Sequence, residues 1–142
     1  MKSKKKYLGL FERMIKGIQE RVTLNAIILF GSQARGTAHK YSDYDILVVA
    51  DFQEEYWDRT SWVVDFTPDI SVDLFCYTPS EFDQMFNAFR LTPIDAIGEG
   101  IVLFGEEFIA PYKAMYEIFL TNGMRKTNCV LIPPQMQENV LP

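Results

Sequence analysis

Two carboxylates, Asp43 and Asp45, stand two residues apart just before the apolar run Ile46-Leu47-Val48-Val49. At the mouth of a strand that spacing projects both from one face. Side by side they repel each other unless cations sit between them. Hard cations with oxygen ligands, Mg2+ foremost, are the expected guests. Upstream lies the turn Gly31-Ser32-Gln33-Ala34-Arg35-Gly36. Gly31 lets the backbone turn sharply, and Ser32 is placed to cap a helix through Ala34 and Arg35. Helix amides that open directly after a strand suit an anion such as phosphate. One short segment thus offers a phosphate cradle and a metal site, and a nucleoside triphosphate with Mg2+ satisfies both.

A third acid, Asp73, stands alone in the strand-like run Ile70-Ser71-Val72-Asp73-Leu74-Phe75-Cys76-Tyr77. Transferring an unpaired carboxylate into apolar surroundings is costly. Strand alternation sets Val72 and Leu74 on one face and Asp73 on the other. The residues alone leave two readings: a surface acid on a half-exposed sheet, or a partner of Asp43 and Asp45 on an adjacent strand. Asp69, at the mouth of the same strand, is the fallback.

The elements that must position these groups follow from periodicity. Apolar residues from Tyr7 to Val22 recur at helical spacing and predict one amphipathic helix over 7–22. The lysines before it read as a solvated tail. Ala26-Ile27-Ile28-Leu29-Phe30 predicts a buried strand, 36–42 a polar loop and 43–50 a second strand. A helix over 53–66 is expected to pack on the sheet, with Tyr56, Trp57 and Trp62 inward rather than stacked on a base. Thr78-Pro79-Ser80-Glu81 is a capping-box pattern opening a helix over 79–89. Beyond a short helical piece over 93–98, Ile101-Val102-Leu103-Phe104 reads as a strand. A last helix runs to about 120, with Phe108, Tyr112, Met115, Tyr116 and Phe119 inward, until Asn122-Gly123 breaks it. The sum is an α/β protein: a mixed sheet of four to five strands flanked by helices, as one domain over 1–142 with its core over 7–120 and a tail over 121–142.

Bulk properties narrow the function. The formal charge of −5 over 142 residues lacks the basic excess of a large nucleic-acid footprint. It leaves room for a nucleotide neutralised by metal. Two cysteines, Cys76 and Cys129, and one histidine, His39, provide neither a common zinc set nor a disulfide framework. Cys76 reads as a reduced core residue. No apolar run approaches a membrane span and no signal-type apolar core follows the basic start, so a cytoplasmic location is expected.

Gly31-Ser32, ten residues, then Asp43-x-Asp45 resembles the signature of the DNA polymerase β-like nucleotidyltransferase superfamily. Gly31-Ser32-x-Ala34-Arg35-Gly36 with Ser42-Asp43-x-Asp45 is most similar to its minimal, antitoxin-like branch. A lone Asp-x-Asp would mean nothing among nine aspartates; the joint spacing and flanking strands carry the likeness, over about 24–83. The resemblance implies transfer of a nucleoside monophosphate, AMP from ATP, onto an acceptor hydroxyl. It implies two Mg2+ ions held by Asp43, Asp45 and Asp73, the last also able to accept the acceptor's proton. Gly31 and Ser32 would hold the β- and γ-phosphates. Arg35 would pair with a phosphate or form a structural salt bridge, and Ser42 would contact phosphate or fix the loop. His39 and Lys40 lie near in sequence without an assigned role. The branch often works beside a small helical HEPN-type partner, the toxin of a toxin–antitoxin pair, so the acceptor would be that protein. A homo-oligomer is compatible with the sequence.

Two other readings stay open: a catalytically silent nucleotide-binding or partner-covering antitoxin module, and an aminoglycoside-like adenylyltransferase acting on a small molecule. A P-loop is excluded, because Gly36 is followed by Thr37-Ala38 instead of Lys and Ser or Thr. A serine hydrolase is excluded by the missing nucleophile elbow.

Overall fold

The computed structural model describes residues 2–39, 42–127 and 130–135. Lys40, Cys129 and residues 136–142 of the expected tail lie outside them. In chain order the elements are α1 (Lys2–Leu10), α2 (Glu12–Gln19), β1 (Leu24–Phe30), α3 (Ser32–Arg35), β2 (Tyr44–Ala50), α4 (Tyr56–Val63), β3 (Val72–Tyr77), α5 (Pro79–Asn87), α6 (Leu91–Glu99), β4 (Ile101–Phe104), α7 (Glu106–Thr121), β5 (Arg125–Lys126) and β6 (Leu131–Ile132). A 3-10 turn, Val64–Phe66, follows α4.

The main sheet has the order β3-β2-β1-β4. β1 runs antiparallel to both β2 and β4, while β2 and β3 are parallel. This is the mixed four-stranded sheet expected. The central strands β1 and β2 are apolar without alternation because helices cover both faces. Ile27, Leu29, Ile46 and Val48 pack with Phe11, Met14 and Ile18 and with Trp62 and Val63. Ile28, Leu47 and Val49 pack on the other face with Phe82, Phe86, Ile94, Ile97, Ile109 and Phe119. Each such fully buried aliphatic or aromatic side chain contributes about 1.5–3 kcal/mol relative to exposure. The cost of leaving one strand end polar, where Asp43 and Asp45 lie, is therefore spread over two large cores.

Several local expectations need correction. The first helix starts earlier, at Lys2, and is interrupted at Phe11, where φ is −105° and ψ 12°. Hydrogen bonds pass through the interruption, from the Phe11 amide to the Tyr7 carbonyl and from the Ile15 amide to the Phe11 carbonyl. The ring of Phe11 sits fully buried, edge-on to Tyr44. The basic start is thus helical rather than a loose tail, and Lys4 pairs with Glu106 at 2.7 Å. Of the two tryptophans of α4 only Trp62 is inward; Trp57 is 80% exposed. Positions 57 and 62 are five apart, and at 3.6 residues per turn only i, i+3 and i+4 share a helix face, so the two indoles point to different sides. Met115 on α7 faces outward and Ile109 takes the inner place.

The capping box at α5 forms as expected: the Thr78 amide donates to Glu81 Oε1 at 2.9 Å and the Glu81 amide to Thr78 Oγ1 at 3.2 Å. The helix stops at Asn87, two residues short of the expected end. Phe89 enters the left-handed region at φ +59°, and the Arg90 amide turns back to the Met85 carbonyl. Packing of the Phe89 ring on Phe119, at 4.9 Å between centroids, offsets that backbone cost. The short β5–β6 hairpin was not anticipated.

Candidate active site

The site forms where β1 ends and where β2 and β3 begin. Parallel pairing sets Tyr44 opposite Val72 and Asp45 opposite Asp73. Residues matched in parallel register point to the same face, so Asp45 and Asp73 stand side by side. Burial pushes the Asp45 carboxyl above its usual range, and the charges of Asp73 and Asp43 push it further. Arg35 opposes that rise from nearby.

One step toward the strand mouth the same face carries Asp43, whose Oδ1 accepts a hydrogen bond from the Ser71 hydroxyl. The expected three-acid convergence is therefore two acids in register with the third beside them and turned to a hydroxyl. Among the described residues, no three His, Cys, Asp or Glu side chains form a ready-made cation cage. The donor chemistry nonetheless fits a hard divalent cation: oxygen ligands, with Asp45 held from ionising by burial and by the neighbouring acids Asp73 and Asp43.

Gly31 follows β1 directly and has φ 77° and ψ −158°. A Cβ there would collide with the Asp45 carboxylate. The glycine is required twice over, by its backbone angles and by the acid pressed against it. α3 is a single turn. The Arg35 amide donates to the Gly31 carbonyl at 3.0 Å, and Gly36, at φ 79°, closes it. Ser32 is not the cap that the sequence suggested. Gly31 occupies the N-cap position without a side-chain bond, and Ser32 is the first helical residue. The hydroxyl of Ser32 is thereby left for other use, and the first amides of the turn have no acceptor within it.

Arg35 pairs with Glu99 at 3.0 Å, and Glu99 lies 3.9 Å from Lys126, which also holds Asp95 at 2.9 Å. Of its two expected roles, Arg35 shows the salt bridge. Ser42 likewise shows the loop-fixing role. The His39 amide donates to Ser42 Oγ at 2.7 Å, and Gln33 Nε2 donates to the Ser42 carbonyl at 3.2 Å. His39 is exposed and contributes through its backbone.

Ser71, Glu99 and Gln33 were not singled out from sequence. For Ser71 a signal existed: Ser71-x-Asp73 repeats the spacing of Asp43-x-Asp45 on the neighbouring strand. For Glu99, 64 residues from Arg35, no local signal exists.

The sequence profile of the nucleotidyltransferase domain matches residues 11–117, three quarters of the chain, including the whole main sheet and the Gly31 turn. The chain belongs to the nucleotidyltransferase domain family. No curated protein sequence matches it. Among solved structures, a protein from Sulfolobus solfataricus described as a nucleotidyltransferase is similar, at 23% identity and a TM-score of 0.52 over 75% of this chain and 86% of that one. That likeness supports the fold. Looser likenesses are to a toxin–antitoxin complex with AMP-PNP, at 24% identity and a TM-score of 0.41 over 75% and 86% of the two chains. Another is to a Shewanella oneidensis tri-AMPylated HEPN toxin in complex with an MNT antitoxin, at 21% identity and a TM-score of 0.38 over 81% and 84%. In this nucleotidyltransferase the acids and the Gly31 turn lie at one end of the sheet. No helix among the described residues is long and apolar enough to cross a membrane.

Proposed function

We propose that this nucleotidyltransferase moves AMP from ATP to a hydroxyl on a partner protein of the HEPN type. The observation that carries the reading is the parallel register of Asp45 and Asp73 with Gly31 pressed against Asp45. It puts two carboxylates beside a turn with free amides. That is what an activated triphosphate and its counter-ions require.

In the reaction the acceptor oxygen bonds to the α-phosphorus. The bond from that phosphorus to the β-phosphate bridging oxygen breaks, and pyrophosphate leaves. Gly31, Ser32 and the α3 amides bind the β- and γ-phosphates. Arg35 adds positive charge at the same turn, and Ser42 keeps the following loop docked through Gln33 and His39. Asp73, the more exposed acid of the facing pair, takes the proton from the acceptor hydroxyl. Asp43, Asp45 and Asp73 would hold Mg2+, which supplies charge neutralisation to the triphosphate when bound.

The protein acceptor is supported by the net charge of −5, unsuited to a nucleic-acid substrate. The HEPN-type partner is supported by the likeness of residues 31–45 to the minimal branch. Incubation with α-labelled ATP, Mg2+ and the protein encoded beside it tests the reading. Label should pass to the partner with the native chain and not with Asp45→Asn. Equal transfer by Asp45→Asn, or no Mg2+-dependent ATP binding by calorimetry, overturns it.

A further inference from the structure

We propose that the groove between α4 and the outer edge of β3 is the acceptor's docking surface, and that it takes a cationic, hydroxyl-bearing polypeptide segment with an apolar anchor. This rests on the transfer reading and adds where the second substrate binds and what its chemistry is.

Position is the first argument. A groove of about 410 Å3 is lined by Tyr56, Trp57, Thr60, Val64, Val72 and Asp73. It shares Asp73 with the facing carboxylates. The Gly31 turn follows β1, which lies on the far side of β2 from β3. The Gly31 turn and the groove therefore lie toward opposite edges of the sheet, with the acids of β2 and β3 between them. In-line displacement at phosphorus, with the attacking oxygen opposite the leaving one, is compatible with that placement.

Surface chemistry is the second. Trp57 is 80% exposed and held edge-on by Tyr56 at 5.2 Å between centroids. Val64, 48% exposed, opens the 3-10 turn after α4 and lines the same groove. An indole fixed by a neighbour and open to solvent is the residue type that anchors protein contacts.

Charge is the third. Residues 51–73 hold seven acids, Asp51, Glu54, Glu55, Asp58, Asp65, Asp69 and Asp73, against one base, Arg59. Arg59 is buried and engaged by Glu81. Arg13 and Arg21, from outside the segment, lie over the rings of Phe66 and Trp62. A segment of that charge beside the groove disfavours nucleic acid and attracts a basic partner.

Trp57 is also the probe, once Trp62→Phe removes the buried indole. A peptide of alternating Arg and Tyr, without ATP, should quench Trp57 emission saturably. Its Glu-for-Arg counterpart and single-stranded oligoadenylate should not. With a fluorescein label on the peptide and Trp62 intact, anisotropy should show binding weakened about tenfold by Trp57→Ala. The pair Asp58→Asn and Asp65→Asn should weaken it about fivefold. Calorimetric ATP affinity should be unchanged in every variant. Equal binding of the acidic peptide, unchanged binding by Trp57→Ala, or a parallel loss of ATP affinity overturns the proposal. A native chain that binds no ATP but passes the peptide tests would instead overturn the transfer reading alone.

Discussion

Asp45 and Asp73 face each other across the parallel β2–β3 pair, matched residue for residue. The arrangement stores electrostatic repulsion that a bound cation relieves. In the metal-free chain, Asp45 has its folded pKa raised above the unfolded value. Its contribution to stability is therefore fully present below the ordinary value of 3.8 and is lost as pH rises through the raised folded value. At pH 7 the ionised acid opposes folding. Asp45→Asn should raise the metal-free Tm by about 2 °C, the shift that ~0.5–1 kcal/mol gives a chain of this size. It should also lower AMP transfer on the order of a hundredfold or more. Scanning calorimetry beside a label-transfer assay reads both. A falling Tm would mean that the carboxylate supports the fold instead.

Gly31→Ala makes the complementary change, adding one methyl against the same carboxylate. The backbone at φ 77° and ψ −158° is open only to glycine, and strain of this kind costs about 1–3 kcal/mol. We expect a Tm lower by several degrees and weaker ATP binding, because Asp45 must move. Titration of ATP with and without Mg2+ separates the two losses. Unchanged affinity in a folded Gly31→Ala protein would show that the turn is not the phosphate seat.

The chemistry was legible because its signal is local. Gly31, Asp43 and Asp45 lie within fifteen positions, and the strands around them are apolar enough to read directly. Asp73 was legible as an acid among apolar residues, and the family resemblance made it a partner of Asp43 and Asp45; the register that sets it opposite Asp45 is a property of the fold. Ser32 was misread as a cap, since a glycine at that φ/ψ takes the N-cap place without a side-chain bond. The outward Trp57 was misread for a different reason: helix α4 is eight residues long, too short for its apolar residues to define one stripe. Glu99 was invisible because its link to Arg35 is made by the fold, not by the chain.

Arg35 and Glu99 form an ion pair whose side chains are 42% and 31% exposed. Pairs this wet contribute about 0–1 kcal/mol. Arg35→Ala and Glu99→Gln should therefore each leave Tm within a few degrees. Their kinetic effects should differ. Arg35→Ala removes the cation from the Gly31 turn and, if that turn seats phosphate as proposed, should raise the KM for ATP about tenfold, one charge-assisted hydrogen bond's worth. Glu99→Gln leaves the cation in place and releases its anchor, so KM should change less. Steady-state kinetics of the two variants, with Tm as the control, decide whether Arg35 binds nucleotide or only braces α3 against α6.

Arg59 is the one charged side chain among the described residues with a nearly closed environment, 5% exposed. Its guanidinium donates to Glu81 at 2.6 and 3.1 Å, to the Cys76 carbonyl at 3.1 Å and to the Glu54 carbonyl at 2.9 Å. One side chain thus ties α4 to the end of β3 and to the capping box of α5. Arg59→Met fills the space but takes the guanidinium donors from two carbonyls and from Glu81, which keeps the Thr78 amide, and should cost about 2–4 kcal/mol. Arg59 holds the Glu81 carboxyl below its ordinary 4.5. The stability from the pair is therefore present above that value and lost as pH falls through the lowered folded value. Native protein should lose Tm steeply below about pH 4.5, and Arg59→Met should show a flatter acid limb from a lower plateau. Because the groove beside Asp73 is built on α4, the same variant should weaken acceptor binding while ATP affinity holds. Thermal scans from pH 3 to 7, with ATP calorimetry at pH 7, check both; parallel acid limbs would remove the ion pair from the account of how α4 is held.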